Sequence, residues 1–175
     1  SALATAALME ILKRQRDAFG LSIYAEGSEY FAPAKGNEKH RRMLLDQLQQ
    51  ILQKGSKSQT DTYKVLHEIA EKIHRRSLIF LFTDMFQSDK KEEDLFAALR
   101  HLKYNKHEVV LFHTYDGKRE LSFDFDDLPR KYVDVETGEQ INLFAGNIKE
   151  AYKLKVEEYF KNLKYKCMQY KIDYV

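Results

Sequence analysis

The sequence has little with which to build several common kinds of site. It holds a single cysteine, Cys167, among 175 residues. One thiol cannot close a disulfide within the chain or furnish a cysteine-rich zinc site. That scarcity fits a reducing, cytoplasmic setting. No apolar run approaches the roughly 20 residues that a membrane-spanning helix needs. The opening Ser1-Ala2-Leu3-Ala4 lacks the basic stretch of a secretory leader. An excess of one charge is missing too, because 29 basic side chains oppose 27 acidic ones. The net charge of +2 gives no global field that would argue for nucleic acid. The seven glycines are scattered at turns, so there is no phosphate loop of Walker or Rossmann type. No serine sits in a Gly-x-Ser-x-Gly elbow, so hydrolase chemistry has no nucleophile signature.

What remains is a globular composition, 43% hydrophobic and 13% aromatic, with one domain's worth of chain. Leu3, Ala4, Ala7, Leu8, Ile11 and Leu12 recur at helical spacing, and Lys13, Arg14 and Arg16 follow where cations suit a helix C-terminus. Residues 19–25 and 29–32 read as a strand hairpin, with Pro33 confining the second strand to an edge. Leu44, Leu45, Leu48, Ile51 and Leu52 predict the next helix, stopped near Gly55. Thr60 is placed to cap a third, which carries Tyr63, Leu66, Ile69, Ala70 and Ile73. Residues 77–83 form a β-branched and aromatic run that ends at Asp84. Such a run reads as a central parallel strand buried on both faces.

Asp89-Lys90-Lys91-Glu92 has the form of a capping box before a helix carrying Leu95, Phe96, Leu99 and Leu102. Residues 108–115 are a second near-continuous apolar strand, halted at Asp116-Gly117. Strand, helix, strand with short connections predicts a parallel crossover. Residues 121–125, 131–135 and 140–143 then alternate with period two, as short antiparallel strands do. They read as a β insertion at about 119–143. A long helix over 147–169 puts Ile148, Tyr152, Val156, Tyr159, Phe160, Leu163 and Cys167 on one face. Residues 172–175 close on a strand. Both termini cut into elements, so the chain is expected to be a piece of a longer protein.

Thr60 and Asp84 are the leading site residues. Each lies in a loop at the same edge of the expected sheet, where open α/β folds bind ligands. A hydroxyl and a carboxylate suit Mg²⁺, a hard cation that takes oxygen ligands and keeps several waters. Read blandly, Thr60 is only a helix cap and Asp84 a strand-end polar residue. His113 reads as a satisfied strand-end histidine. His40, His67, His74, His101 and His107 read as polar residues with no metal-ligand spacing. Cys167 falls on a buried face, which argues against a reactive thiol. Asp124, Asp126 and Asp127 read as an exposed acidic loop.

The order of these motifs resembles a von Willebrand factor A-like domain. The pieces that carry the resemblance are the first helix, Arg16-Asp17-Ala18-Phe19-Gly20-Leu21-Ser22-Ile23-Tyr24, Thr60-Asp61-Thr62-Tyr63-Lys64-Val65-Leu66, and Arg75 to Asp84. More narrowly, the chain resembles the bacterial domain-of-unknown-function family numbered fifty-eight, whose genes often lie beside those of MoxR-type AAA+ ATPases. His107 to His113, Val133 to Gly138 and Cys167 to Tyr174 extend the likeness over nearly the whole chain.

The resemblance implies a single three-layer, Rossmann-like α/β domain over 1–175. Its central sheet would be mostly parallel, with one antiparallel edge strand. The resemblance also implies a metal-ion-dependent adhesion site (MIDAS) built from an Asp-x-Ser-x-Ser motif, a threonine matched by Thr60 and an aspartate matched by Asp84. Asp-x-Ser-x-Ser and the strand before it are absent from this sequence. The metal site is therefore incomplete, and no tightly bound ion is expected in this fragment. The implied function is a non-enzymatic interaction module with a protein partner, such as a MoxR-type ATPase, in assembly or maturation. Neither nucleic acid nor a membrane segment is expected. Two rivals are a metal-dependent hydrolase or phosphotransfer domain, which would need a second acid such as Asp116, and a metal-free scaffold.

Overall fold

The computed structural model describes residues 1–25, 28–54, 62–73, 76–84, 89–121, 130–133, 140–143 and 145–175. In chain order the elements are α1 (Ala2–Arg14), β1 (Phe19–Ala25), β2 (Ser28–Lys35), α2 (Glu38–Lys54), α3 (Thr62–Lys72), β3 (Leu78–Thr83), α4 (Asp89–Tyr104) and β4 (Glu108–His113). A π-helical turn at Gly117–Leu121 follows, then β5 (Arg130–Val133), β6 (Gln140–Leu143), α5 (Ala145–Gln169) and β7 (Asp173–Tyr174). The architecture is mixed α/β. A small parallel sheet has the order β3-β4-β7, while β1 with β2 and β5 with β6 are separate antiparallel pairs. The chain forms two compact units, Ser1–Val109 and Val110–Val175.

The expected helices and strands are found wherever the structure describes them, with shifted ends. β2 runs on through Pro33 to Lys35 instead of stopping before it. The π-helical turn takes Leu121 out of the strand expected at 121–125. The remainder of that strand lies outside the described residues, as do the loop at 55–59, the cap at Thr60 and the acidic residues Asp124, Asp126 and Asp127. β3 departs most from expectation. Among the described residues it is an end strand of its sheet, and β4 is the middle one. Its burial alternates: Leu81 and Thr83 are buried, but Leu78 is 50% exposed. A continuous apolar run does not reveal how many strands will flank it, so the sequence could not distinguish an end strand from a central one.

In the first unit, Met9, Phe19, Ala32, Leu44 and Leu48 form a core among α1, the β1–β2 hairpin and α2. Asn37 starts α2 by accepting the His40 N–H at 2.8 Å on its side-chain oxygen, as an N-cap residue does. Arg41 then holds Glu38 on the same helix face at 2.6 Å, and the guanidinium lowers the Glu38 carboxyl to about 2. The face that α1 buries differs from the expected one. Met9 is buried, with Ala2, Ala6 and Leu12 packed beside it, while Leu3, Ala4, Ala7 and Ile11 are exposed. The helix carries two apolar stripes, and spacing alone could not choose between them.

Three helices reach their following strands by one shared device. After α1, the Asp17 N–H bonds Leu12 O and the Arg16 N–H bonds Lys13 O. After α4, the His107 N–H bonds Leu102 O and the Lys106 N–H bonds Lys103 O. After α5, the Ile172 N–H bonds Cys167 O and the Lys171 N–H bonds Met168 O. These are Schellman closures. Arg16, Lys106 and Lys171 take the left-handed residue, with φ of 61°, 66° and 55°. Glycine would fit there with less strain, but each cation sits at the negative end of a helix dipole.

In the second unit, β7 pairs parallel with β4 through Val110–Asp173 and Leu111–Tyr174. The buried side of α5 is Val156, Leu163 and Cys167, on the expected face. No helix among the described residues is long and apolar enough to cross a membrane.

Candidate functional site

The C-terminal end of β3 carries the one predicted site residue that the structure describes. β3 buries Thr83 and delivers Asp84 to the surface just beyond its last residue. The Thr83 hydroxyl donates to Asp84 O at 3.1 Å. Tyr24, near the end of β1, donates its phenol to Phe82 O at 3.1 Å. Burial raises the Tyr24 phenol above its ordinary value, against a smaller opposing effect from the Thr83 hydroxyl. The phenol therefore stays protonated and serves as a donor. A side chain of one sheet thus satisfies a carbonyl of another strand, and the end of β3 is held in place.

Thr60, the other predicted ligand, lies outside the described residues. Asp116 follows β4 and belongs to the second unit. It is engaged locally: its N–H donates to Glu120 Oε2 at 2.6 Å, and its carboxylate accepts the Lys118 N–H at 3.0 Å. Among the described residues, no three His, Cys, Asp or Glu side chains stand close enough to hold a metal ion. What the β3 end offers chemically is an exposed carboxylate just past the last residue of the strand, a group of the kind that pairs with cations.

The histidines are arranged differently from the expected polar pattern. His40 is buried, and its Nε2 lies 3.1 Å from Phe19 O. His113 is buried with Nδ1 2.8 Å from the Tyr174 hydroxyl, in an aromatic cluster with Tyr115 and Phe160. The strand-end position is the expected one, and the Tyr174 hydroxyl satisfies Nδ1. Burial pushes the Tyr174 phenol up to about 12, and the nearby Cys167 and Tyr115 add to the shift. Cys167 is fully buried, as its helix face implied. His67 of α3 and His101 of α4 meet with their Nδ1 atoms 3.0 Å apart. Their separation of 34 residues hid this contact, which only the pairing of α3 with α4 reveals.

Residues 1–159 match the family described as protein of unknown function DUF58. The chain belongs to this family. No curated protein and no solved structure matches it. The family description assigns no activity.

His107 lies just before β4. It is 2% exposed, and its Nδ1 accepts the Ser77 N–H at 3.3 Å, which requires the neutral ring with the proton on Nε2. That Nε2 has no hydrogen-bond partner among the described residues. Burial lowers the imidazole below its ordinary 6.5, and the Ile73 backbone opposes this only in part. Because the folded value is lowered, the contribution is complete above the unfolded value and is lost as pH falls. Below about 6.5 the unfolded chain takes up a proton that the folded chain refuses, at up to about 1.4 kcal/mol per pH unit. Urea unfolding from pH 8 to pH 5 should therefore decline more steeply for the wild type than for His107→Gln. Parallel declines would remove His107 from the acid response.

Proposed function

We propose that this chain is a non-enzymatic protein-interaction module of von Willebrand A-like fold, with the C-terminal end of β3 as its working edge. The observation that carries the reading is Asp84, an exposed carboxylate set just past a strand whose last residue is buried. In the intact protein a divalent ion such as Mg²⁺ would take oxygen ligands from Asp84, Thr60 and a segment upstream of Ser1. A carboxylate of the partner would complete its shell, because hard cations of this kind favour oxygen donors and exchange waters for them. The partner proposed from the family resemblance is a MoxR-type AAA+ ATPase, in complex assembly or maturation.

Two features of the first unit support an upstream segment. The β1–β2 hairpin and β3 belong to separate sheets. Leu3 and Ile11 of α1 are 76% and 53% exposed, on an apolar stripe that α1 does not bury. A further strand packed against that stripe would give it apolar cover.

The test is capture of the ATPase by the full-length protein, with and without Mg²⁺, comparing the wild type with Asp84→Ala. Capture should need Mg²⁺ and should fall at least about tenfold in the variant, the loss expected when a charged ligand is removed from a buried contact. Asp84 is exposed, so the variant should keep its fold, which far-UV circular dichroism checks. Equal capture under all conditions would refute the metal bridge, and turnover of phosphoesters would favour an enzyme instead.

A further inference from the structure

We infer that the outward face of α5 pairs with the same face of a second copy of this chain, as an antiparallel two-helix seam. α5 buries Val156, Leu163 and Cys167 on one side. On another side Leu154, Tyr165 and Met168 are each more than half exposed. Large apolar side chains grouped on one exposed face mark an interaction surface, whereas scattered ones do not. The three belong to a regular series. Ala151, Leu154, Glu158, Lys161, Tyr165 and Met168 are all exposed, and they follow one another by alternating steps of three and four. That is a heptad pattern, with Ala151, Glu158 and Tyr165 at its a positions and Leu154, Lys161 and Met168 at d. Residues so spaced line one face of a helix.

Charge complementarity selects the occupant. When the helix is laid against its own twofold-related copy in the opposite direction, a positions meet d positions. Ala151 then faces Met168 of the second copy, Leu154 faces its Tyr165, and Glu158 faces its Lys161. Each contact occurs twice by symmetry. On the flank of the seam, the exposed Glu157 faces the exposed Lys164 of the second copy, again twice. Apolar residues thus meet apolar ones, and every carboxylate meets an ammonium. A parallel pair would set Glu158 on Glu158 and Lys161 on Lys161, and like charges in contact repel. Sliding the antiparallel pair by one heptad would set Glu158 against Met168 or against Leu154. Charged residues in the middle of a seam therefore fix its direction and register, at a cost in affinity. The series spans about 25 Å of helix. An interface of that length is small, at or below about 1,200 Å² in total, so the dimer is weak and reversible.

The test is sedimentation velocity on the whole chain, from micromolar to near-millimolar concentration. The wild type should pass from monomer to dimer across that range, and added salt should weaken the dimer by screening its charge pairs. Glu158→Lys should weaken it at least about tenfold, because two cations then oppose each other at both crossings. Lys161→Glu should do the same with two anions. An equimolar mixture of the two variants should recover the dimer, since every crossing then joins opposite charges. That recovery is a readout that misfolded variants could not give. Asp84→Ala and Mg²⁺ should leave the dimer unchanged, so this seam and the β3 end fail or succeed separately. A wild type that stays monomeric at the highest concentration would overturn the pairing and assign the face to another partner. A dimer that tolerates Glu158→Lys, or variants that do not recover on mixing, would overturn it as well.

Discussion

Leu99→Ala is expected to destabilise the first unit by about 2–5 kcal/mol, the cost of a large cavity in a packed core. Leu99 lies in α4 and is completely buried, as are Leu95 and Leu102 on the same helix and Leu66 on α3. These two helices pack on each other, so removing the isopropyl group empties a space that helix geometry cannot refill. Against a typical stability of about 5–15 kcal/mol, such a loss is a large share. The chain has no tryptophan, so urea unfolding is best followed by circular dichroism. The midpoint should fall while the denaturant slope stays constant. Leu52→Ala provides the control. Leu52 sits on α2 but is 60% exposed, and its truncation should change stability by less than about 0.5 kcal/mol. A similar small change for Leu99→Ala would mean that α4 does not close the core of this unit.

The contrast between Leu99 and Leu52 also marks where the sequence was legible. Leu95, Phe96, Leu99 and Leu102 predict a buried helix face, and all four are buried. One face was available, and the remaining positions of α4 are mostly polar or charged. Leu52 shares the spacing of Leu44 and Leu48 yet faces solvent, because it lies at the margin of the apolar stripe. α1 has two candidate stripes, and the buried one is centred on Met9 and not on Leu3, Ala4, Ala7 and Ile11, which are exposed. Periodicity finds faces but does not rank them when two compete.

The candidate site and the histidine contacts were unequally visible for the same reason. Asp84 could be read because one local cue, an apolar run ending in an acid, placed it at a strand terminus. The His67–His101 contact has no local cue. It depends on the pairing of two helices and on the register between them, and both are decided by leucines elsewhere on those helices. The buried states of His40 and His107 were equally hidden. Each pairs with the backbone around a neighbouring strand, at Phe19 and Ser77, and a polar residue's backbone partners leave no trace in spacing.

Gly20→Ala is expected to lower stability by about 1–3 kcal/mol or more, through a backbone clash in the β1–β2 hairpin. A Cβ at Gly20 would lie 2.5 Å from Ala32 O, 3.0 Å from Ala34 N and 3.1 Å from Pro33 C. All three are main-chain atoms, so no side chain can turn aside to make room. The cause is visible in the register. Phe19 pairs with Lys35 and Leu21 with Ala32, so two steps along β1 correspond to three along β2. The extra residue falls at Pro33–Ala34 and makes a bulge. It suits a proline, which has no N–H to give to the ladder, and the bent strand presses its backbone onto Gly20. Gly20 and Pro33 are thus one device: the bulge accommodates the proline, and the glycine accommodates the bulge. Gly36→Ala is the matched control, since a Cβ there meets nothing within 4 Å. Its stability should be unchanged or slightly higher, because alanine restricts the unfolded chain. Hydrogen exchange at the β1 and β2 amides should rise in Gly20→Ala and stay level in Gly36→Ala. The effect should reach the β3 end as well, since β1 carries Tyr24 to the Phe82 carbonyl. If Gly20→Ala unfolds at the wild-type midpoint with unchanged exchange, the hairpin can shift its register freely, and Tyr24 would not be a fixed support for Asp84.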